Sequence, residues 1–322
     1  MQYTNTTNIP LPLAVFLATD DYDYQPDTIS VTTLLKPIKQ IILGRRLEKE
    51  DRFTDISGLV ASRIGSAIHT AIEKAWTNPQ RALKLLGYPQ SVIDKVIINP
   101  TKDQLKPDSI PVYMEQRTSK SIMGYTITGK YDFIAEGRVE DFKSTGVYSY
   151  LNQTNRDKYI LQGSLYRWLN PDIITKDDMR INYIFTDWNK LESIKNKNYP
   201  ANRVLTQVLS LKSIKETETY VRNKLSQIKK YEDSPESEIP MCNDEELWRK
   251  PAVWKYYKNP AKTERSTANF DNPLDATIKF NEDGGCGLIK EVKGQIMACK
   301  YCPAFSICQQ KEIYLESGEL VL

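Results

Sequence analysis

The sequence predicts an α/β fold in which a mixed central sheet is flanked by helices. Two observations carry this prediction. Apolar and polar residues alternate with the period of a strand in residues 125–144 and 180–188. Apolar residues recur at helical spacing in residues 58–76, 155–169 and 211–231. Helical and strand segments that follow one another in this way indicate a sheet with helices on its faces.

The composition is that of a folded, soluble protein. The chain has 322 residues, of which 40% are hydrophobic, enough for one large or two modest domains. Because 44 basic residues face 41 acidic ones, a DNA-binding surface would have to be a local patch. The N-terminal residues show neither the basic nor the apolar region of a signal peptide, and no apolar run is long enough to span a membrane. We therefore expect an intracellular protein that does not contact membranes.

The first part of the chain is predicted to be irregular. Residues 1–27 contain Pro10, Pro12 and an acidic-aromatic run at 20–24, and we expect them to form an arm that packs across the core. The charged stretch from Gly44 to Arg52 is most simply a solvated face. Contact with DNA phosphates is the alternative.

Residues 58–76 are predicted to form an amphipathic helix. Gly65, His69 and Glu73 follow one another at intervals of four and form a stripe opposite the apolar one. His69 is the only histidine in the chain, and it is either an ordinary hydrogen-bonded residue or a metal ligand. We favour the metal ligand, because imidazole binds metals readily and Gly65 allows close approach.

A predicted hairpin follows at the centre of the chain. Its strands are residues 125–135 and 138–144, and the turn is Glu136-Gly137. Residues 112–117 are predicted to form a further strand that carries Glu115. Glu115 either supplies another carboxylate to a site on the hairpin or pairs with a lysine.

The hairpin brings two carboxylates and an ammonium together. Asp141 and Lys143 share one face of their strand because they are two residues apart, and the partner strand places Asp132 beside them. Adjacent carboxylates repel unless a cation lies between them, and a hard divalent metal is the usual solution. The pattern therefore predicts a metal site for phosphodiester chemistry. A salt bridge with Lys130 or Lys143 is the simpler alternative.

Several motifs, in this order, resemble the RecB-like branch of the PD-(D/E)XK nuclease superfamily. They are Ser30-Val-Thr-Thr-Leu-Leu-Lys-Pro, Gly65-x3-His69, Gly129-Lys-Tyr-Asp132, Asp141-Phe-Lys143 and Gln162-x3-Tyr166. The phage-encoded and CRISPR-associated exonucleases of that branch are the most similar. The resemblance implies a restriction-endonuclease-like core, which we place at residues 28–232. The family usually has Glu-x-Lys where this chain has Asp141-Phe-Lys143.

The resemblance also implies a role for each residue of these motifs. The ligands of Mg²⁺ or Mn²⁺ would be His69, Asp132, Asp141 and the Phe142 carbonyl. Lys143 would orient and activate the attacking water. Gln162 and Tyr166, which with Tyr159 form a stripe on the predicted helix 155–169, would position the DNA strand.

Cysteines mark a separate segment at residues 233–322. Cys299, Cys302 and Cys308 cluster, and a Cys-x2-Cys spacing lets two sulfurs reach one metal. The fourth ligand must come from Cys242 or Cys286, and four cysteines suit either zinc or an iron-sulfur cluster. The tail resembles that of iron-sulfur nucleases of the RecB-like branch, which implies a [4Fe-4S] cluster with zinc as the alternative. The segment from Cys242 to Trp248 resembles the first-cysteine segment of the phage group, so we take Cys242 as the fourth ligand.

Aromatic and basic residues interleave at 248–250 and 254–258 in the same segment. This pattern suits either single-stranded DNA or packing against the core.

The resemblance implies a metal-dependent exonuclease acting on single-stranded or end-processed DNA. Recombination, repair or degradation in the cytoplasm of a bacterial or phage-infected cell would be its setting. A non-catalytic or endonucleolytic protein in a CRISPR-adaptation or recombination complex is the alternative, with phage or host proteins as partners. The sequence leaves the polarity of cleavage and the oligomeric state open.

Overall fold

The computed structural model describes residues 2–19, 25–47 and 53–321. Its strands are β1 (Gln2–Thr4), β2 (Thr28–Ser30), β3 (Phe53–Asp55), β4 (Val96–Ile98), β5 (Ile110–Met114), β6 (Arg117–Ile122), β7 (Tyr125–Lys130), β8 (Phe133–Ala135), β9 (Arg138–Thr145), β10 (Asp178–Phe185), β11 (Val204–Ser210), β12 (Val253–Tyr257), β13 (Ala268–Phe270) and β14 (Leu288–Val292). Its α-helices are α1 (Leu11–Ala18), α2 (Val31–Leu34), α3 (Ile38–Arg46), α4 (Val60–Trp76), α5 (Gln80–Leu85), α6 (Gln90–Ile93), α7 (Val147–Leu151), α8 (Arg156–Leu169), α9 (Lys190–Lys195), α10 (Ile214–Tyr231), α11 (Pro273–Glu282) and α12 (Gln310–Glu316).

The chain divides into two compact units. The first comprises Met1–Lys36 and Phe53–Ser226, and the second Pro37–Arg52 and Gln227–Leu322. The domain limits expected from the sequence, 1–27, 28–232 and 233–322, stay predictions. The acidic-aromatic run at 20–24 and residues 48–52 of the charged stretch lie outside the described residues. No helix of the described ranges has both the length and the apolar character needed to cross a membrane.

A six-stranded mixed sheet forms the centre of the first unit. Its strand order is β11-β10-β9-β8-β5-β4, with β9 parallel to β10 and antiparallel to β8. Alternate residues of β10, from Met179 to Phe185, are buried, as the period of the sequence predicts. The predicted α/β class, a mixed central sheet with helices beside it, is confirmed.

The predicted hairpin turn is correct, but the first of its two strands is divided. Glu136 and Gly137 both have positive φ, 54° and 73°, which is the conformation of a two-residue hairpin turn. Before the turn, β7 lies in a three-stranded sheet with β2 and β6, whereas β8 lies in the six-stranded sheet. Asp132 occupies the break between them. The alternating pattern runs on across this break, so the sequence alone did not reveal the change of sheet.

The helix predicted at residues 58–76 is confirmed as α4, but its stripes are arranged differently. Ile68, Ile72 and Trp76 are half-buried on the same side of the helix as His69, while Ile64 is 43% exposed. The expectation that the His69 stripe lies opposite the apolar one is therefore wrong. Successive helical residues are about 100° apart around the helix axis, so positions 68, 72, 76 and 69 fall within one arc of about 100° and share one face.

Helix α8 packs very closely on the sheet through a glycine. A Cβ atom placed on Gly163 would lie 2.4 Å from the sulfur of Met179 on β10 and 2.9 Å from Leu211. Leu165 and Trp168 on the same helix are fully buried. Because α8 lies this close to the sheet, other side chains of the helix can reach β9.

The N-terminal residues are more regular than predicted. Strand β1 pairs in parallel with β3, and α1 forms although Pro12 lies in its first turn. Proline is tolerated there because the first helical N–H groups have no partner within the helix. The run from Leu11 to Ala18 is apolar throughout, so it has no periodicity from which a helix could be predicted.

The second unit contains α3, α11, α12 and an antiparallel sheet in the order β13-β12-β14. Tyr256 is fully buried with its ring edge-on to Phe280, and Tyr257 is 6% exposed. For these two tyrosines the core-packing reading of the interleaved pattern at 254–258 is confirmed.

We predict that Gly163→Ala lowers the free energy of unfolding by about 1 to 2 kcal/mol. The added methyl group must displace Met179 in a filled core, and this cost exceeds the gain in helix propensity. Urea unfolding checks the value. Gly58→Ala is the matched control, since nothing lies within 4 Å of its Cβ position. A Gly163→Ala protein as stable as the wild type would contradict the packing described here.

Candidate active site

A cleft of about 1190 Å³ opens in the first unit between α4, the start of β8 and α8. Carboxylates and cations both line it. The acids are Glu73, Glu115 and Asp132, and the cations are Arg63, Lys74, Arg117 and Lys130. His69, Gln162 and Tyr166 also contribute to the wall. Ser30, Val31 and Thr32 line it too, so the cleft brings together residues from four of the five predicted motifs, all but Asp141-Phe-Lys143.

His69 bridges two acceptors at the floor of the cleft. Its Nε2 lies 2.9 Å from the Phe142 carbonyl oxygen, and its Nδ1 lies 3.3 Å from Asp132 Oδ2. The hydrogen bond to Asp132 raises the pKa of His69 above its ordinary value, against the opposing effect of burial. Gly65, one turn earlier, leaves room for this approach, because its Cβ position is 3.3 Å from Ser144 Oγ on β9. The imidazole thus lies where the sequence placed it, beside Asp132 and Phe142.

Asp141 is a buried carboxylate with one ammonium beside it. Its side chain is 2% exposed, and its Oδ2 lies 2.6 Å from Lys143 Nζ. Lys143 is therefore the partner of this oxygen through a close, charge-assisted contact. The other oxygen, Oδ1, accepts a hydrogen bond from Gln162 Nε2 at 3.3 Å.

The electrostatics of this pair follow from burial. Burial, and then repulsion from Asp132, raise the pKa of Asp141 to about 6 against the attraction of Lys143. Burial by itself would lower the pKa of Lys143, but Asp141 and Asp132 outweigh it and raise the pKa. Lys143 therefore stays charged at neutral pH, held by two carboxylates.

Glu115 joins the site from an unusual backbone conformation. It has φ of 52°, between β5 and β6, so the strand predicted for residues 112–117 ends at Met114. A ligand atom of Glu115 lies within 4.8 Å of ligand atoms of His69 and Asp132. Its carboxylate is also 2.6 Å from Lys130 Nζ. The structure is therefore compatible with both roles that the sequence left open for Glu115, as a further carboxylate of the site and as the partner of a lysine.

Helix α8 supports the site through three side chains on one face. Gln162 Nε2 donates to Tyr166 Oη at 3.2 Å as well as to Asp141. One turn earlier, the ring of Tyr159 lies under Lys143, with the ammonium 5.3 Å from the ring centroid. Tyr159 in turn packs edge-on against the buried Tyr183. Tyr159 therefore belongs to the site. The sequence placed it on the stripe with Gln162 and Tyr166 but assigned it no role.

The cysteines lie in the second unit. Cys242 and Cys299 pack against the same apolar cluster of Leu247, Ile296, Tyr314 and Leu320. Burial raises the pKa of Cys242 to about 12, and Cys299, Cys302 and Cys308 lie near enough to raise it further. Cys286 is exposed, in the turn between α11 and β14. Of the four cysteines that the sequence selected, Cys242 and Cys299 thus share one apolar cluster. In the described part of the chain, no three cysteine sulfurs lie within 4.8 Å of one another.

Gln310 fixes Cys242 to the helix after Cys308. Its Oε1 accepts from the Cys242 N–H and its Nε2 donates to the Cys242 carbonyl, both at 2.9 Å. Gln310 is 4% exposed. Sequence reasoning missed it, because a buried glutamine that bonds a distant backbone leaves no local pattern.

Comparisons with known proteins give a weak likeness. No protein-family model and no curated protein matches the chain. Among solved structures, the crystal structure of SSO0001 matches with a TM-score of 0.38 and 15% identity, covering 64% of this chain and 78% of that one. A phage related exonuclease from Haemophilus somnus 129PT matches with a TM-score of 0.29 and 15% identity, covering 66% of this chain and 96% of that one.

Proposed function

We propose that this protein is a divalent-metal-dependent nuclease that hydrolyses DNA phosphodiester bonds. The observation that carries the proposal is the placement of Asp132 and His69 on the cleft wall, with the Asp141–Lys143 pair joined to that wall through Gln162. Two carboxylates, a half-buried ammonium and an imidazole, beside several further cations, form a site for a metal ion and a phosphate. The motif resemblance to RecB-like PD-(D/E)XK exonucleases supports the choice of an exonuclease.

The residues present fit a hard divalent cation. Asp141 is a buried carboxylate, and the Phe142 carbonyl and Asp132 face the same imidazole. Oxygen ligands with one imidazole suit Mg²⁺ or Mn²⁺. We propose as ligands His69, Asp132, Asp141 and the Phe142 carbonyl, and Glu115, which offers a ligand atom within 4.8 Å of those of His69 and Asp132, can join the same ion. When bound, the metal lowers the pKa of a coordinated water and neutralises charge on the phosphate.

The side chains of this chain supply the rest of the chemistry. The Lys143 ammonium, fixed between Asp141 and the Tyr159 ring, orients the attacking water and faces the negative charge that develops on the phosphate. Gln162 holds the Asp141 carboxylate in one orientation. Tyr166 is 4% exposed, so we assign its hydroxyl mainly to holding Gln162, with any contact to the DNA strand secondary.

We further propose that Cys242, Cys299, Cys302 and Cys308 bind a [4Fe-4S] cluster, with zinc as the alternative. Four half-buried thiols, two of which pack against the same apolar cluster, support a metal centre, and Gln310 already holds the Cys242 segment to the helix after Cys308. Binding a metal requires thiolates, and burial opposes their formation unless the metal compensates. The group would therefore stabilise the fold of the second unit and take no part in hydrolysis.

The proposed setting is phage or bacterial DNA recombination, repair or degradation in the cytoplasm. An endonucleolytic or non-catalytic role in a CRISPR-adaptation or recombination complex remains the competing proposal. These roles differ in what they do to circular DNA, which has no ends.

Cleavage of end-labelled single-stranded DNA tests the function. With Mn²⁺, we expect the wild type to degrade linear DNA and spare circular DNA. Lys143→Ala should reduce the rate on the order of a hundredfold or more, since it removes the ammonium that faces the reacting phosphate. Lys84→Ala, an exposed lysine on α5 that does not line the cleft, is the control. If linear DNA survives equally with the wild type and Lys143→Ala, the protein is not a nuclease. Cleavage of circular DNA would replace the exonuclease with the endonuclease.

The pKa of Asp141 predicts that the free energy of unfolding depends on pH, which tests the metal site without an activity assay. Its folded pKa of about 6 exceeds the ordinary value of 3.8, so the folded state holds the proton more tightly. The resulting stability is present at low pH and is lost as pH rises through this window. Without divalent metal, the wild type should therefore lose about 2 kcal/mol relative to Asp141→Asn between pH 4 and pH 7.

Urea unfolding at a series of pH values measures this difference. Added Mn²⁺ should stabilise the wild type more at pH 7 than at pH 5, because metal and proton compete for the carboxylate. Parallel pH profiles for the two proteins would contradict the buried environment assigned to Asp141.

The colour of the protein tests the cysteine site. Anaerobically purified protein should absorb broadly near roughly 400 nm, as thiolate-bound iron-sulfur centres do. Cys302→Ser should remove the absorption, whereas the matched control Cys286→Ser, in an exposed turn, should keep it. Colourless protein with stoichiometric zinc would replace the cluster with the zinc alternative.

A further inference from the structure

Helix α1 presents an apolar surface that the rest of the first unit leaves largely uncovered. None of its eight residues is charged or polar, and only Leu17 is buried. Leu11, Leu13, Val15 and Phe16 are between 42% and 76% exposed. The helix is nevertheless fixed in place, because Arg63 Nε on α4 donates to the Leu17 carbonyl at 2.9 Å. An exposed apolar surface held in this way is typical of a binding surface.

One side of this helix belongs to the cleft. Phe16 and, one turn later, Thr19 line the same cavity as His69 and Asp132. Arg63, which anchors the helix, is also part of the wall. A ligand in the cleft therefore meets the Phe16 ring as well as the acidic and basic groups.

Phe16 is the aromatic ring that such a ligand can reach. Among the residues that line the described cleft, the carbocyclic rings are those of Phe16 and Tyr166. Tyr166 is 4% exposed and its hydroxyl accepts from Gln162, whereas Phe16 is 42% exposed. The buried Tyr256 and Tyr257 of the second unit cannot offer a ring to a base in the way that the sequence pattern there suggested.

We propose that Phe16 stacks on an unpaired base of the nucleic-acid strand whose backbone occupies the cleft. The cations Arg63, Lys74 and Arg117 suit the phosphates of a strand, and an exposed aromatic face suits a base. A base within a duplex is already stacked between its neighbours, so Phe16 can contact only an unpaired or frayed nucleotide. Phe16 therefore determines specificity for single-stranded ends. This inference rests on the proposed nuclease function.

Binding separates this inference from catalysis. A fluorescent oligothymidylate of roughly 16 nucleotides is titrated with protein in Ca²⁺ instead of Mn²⁺, and its anisotropy is followed. We expect Phe16→Ala to weaken binding about tenfold and Phe16→Trp to retain it, because stacking on an aromatic ring is lost only in the first. The affinity for a blunt duplex of the same length should not change.

Val15→Ala is the matched control. Val15 lies on the same helix with 58% exposure but does not line the cleft. An equal loss with Val15→Ala and Phe16→Ala would overturn the assignment to the cleft. Because Phe16 is exposed, Phe16→Ala should keep the wild-type melting temperature. Phe16→Leu keeps the bulk of the side chain but not its π face, so its affinity should lie between those of the wild type and Phe16→Ala.

A scan of abasic oligonucleotides identifies the contact directly. Single abasic sites are placed at successive positions from the end, and binding is measured for the wild type and Phe16→Ala. We expect one or two positions at which the abasic site weakens wild-type binding about tenfold but leaves binding by Phe16→Ala unchanged. Equal losses in both proteins at every position would overturn the stacking.

The two proposals fail in different ways. If the wild type cleaves linear DNA but Phe16→Ala binds and cleaves as the wild type does, only the role of Phe16 is wrong. If the wild type neither binds nor cleaves the oligonucleotide, the nuclease function and the role of Phe16 both fall.

Discussion

The buried Asp141–Lys143 pair is the constraint around which the first unit is built. A carboxylate and an ammonium at 2.6 Å, one of them fully buried, lose much of their hydration, and their mutual attraction offsets that loss only in a fixed geometry. Strands β8 and β10 hold β9 on both sides, and Gln162 orients the carboxylate. Asp132 adds a second negative charge, which one ammonium does not neutralise. A further cation is therefore needed to neutralise the negative charge of the site.

In the structure, the His69 imidazole meets part of that requirement. Both of its nitrogens face acceptors, the Asp132 carboxylate and the Phe142 carbonyl, and only the protonated ring can donate to both. The raised pKa of His69 has this hydrogen bond to Asp132 as its largest cause. Asp132 and the Phe142 carbonyl are thus arranged around a positive charge. A divalent cation bound by the same atoms would leave the imidazole neutral, which is the form that coordinates metals.

Local sequence patterns predicted the helices and strands. The features that they did not predict depend on contacts between elements that are distant in the sequence. The alternation in β9 and β10, the turn at Glu136-Gly137 and the helices α4 and α8 are short-range features, so they could be predicted from the sequence. The break at Asp132, the positive φ of Glu115 and the contact of Tyr159 with Lys143 depend on which strand or helix lies opposite. Gly163 has the same explanation, since only the position of Met179 shows why the helix needs a glycine. The ligand set could be proposed from motifs, but the residues that hold those ligands in position could not.

The cysteines show why chemistry and stability can be lost separately. Cys242 and Cys299, which pack against Leu247 and Ile296, cost little while they stay protonated, and their raised pKa values show that they resist ionisation there. A bound metal would convert them to thiolates, so its binding free energy would add to the folding free energy of the second unit. Gln310 already joins Cys242 to α12 through two hydrogen bonds, which keeps part of this arrangement without metal. No cysteine lies in the first unit, so loss of a metal bound by these cysteines would remove no ligand and no cation from the cleft.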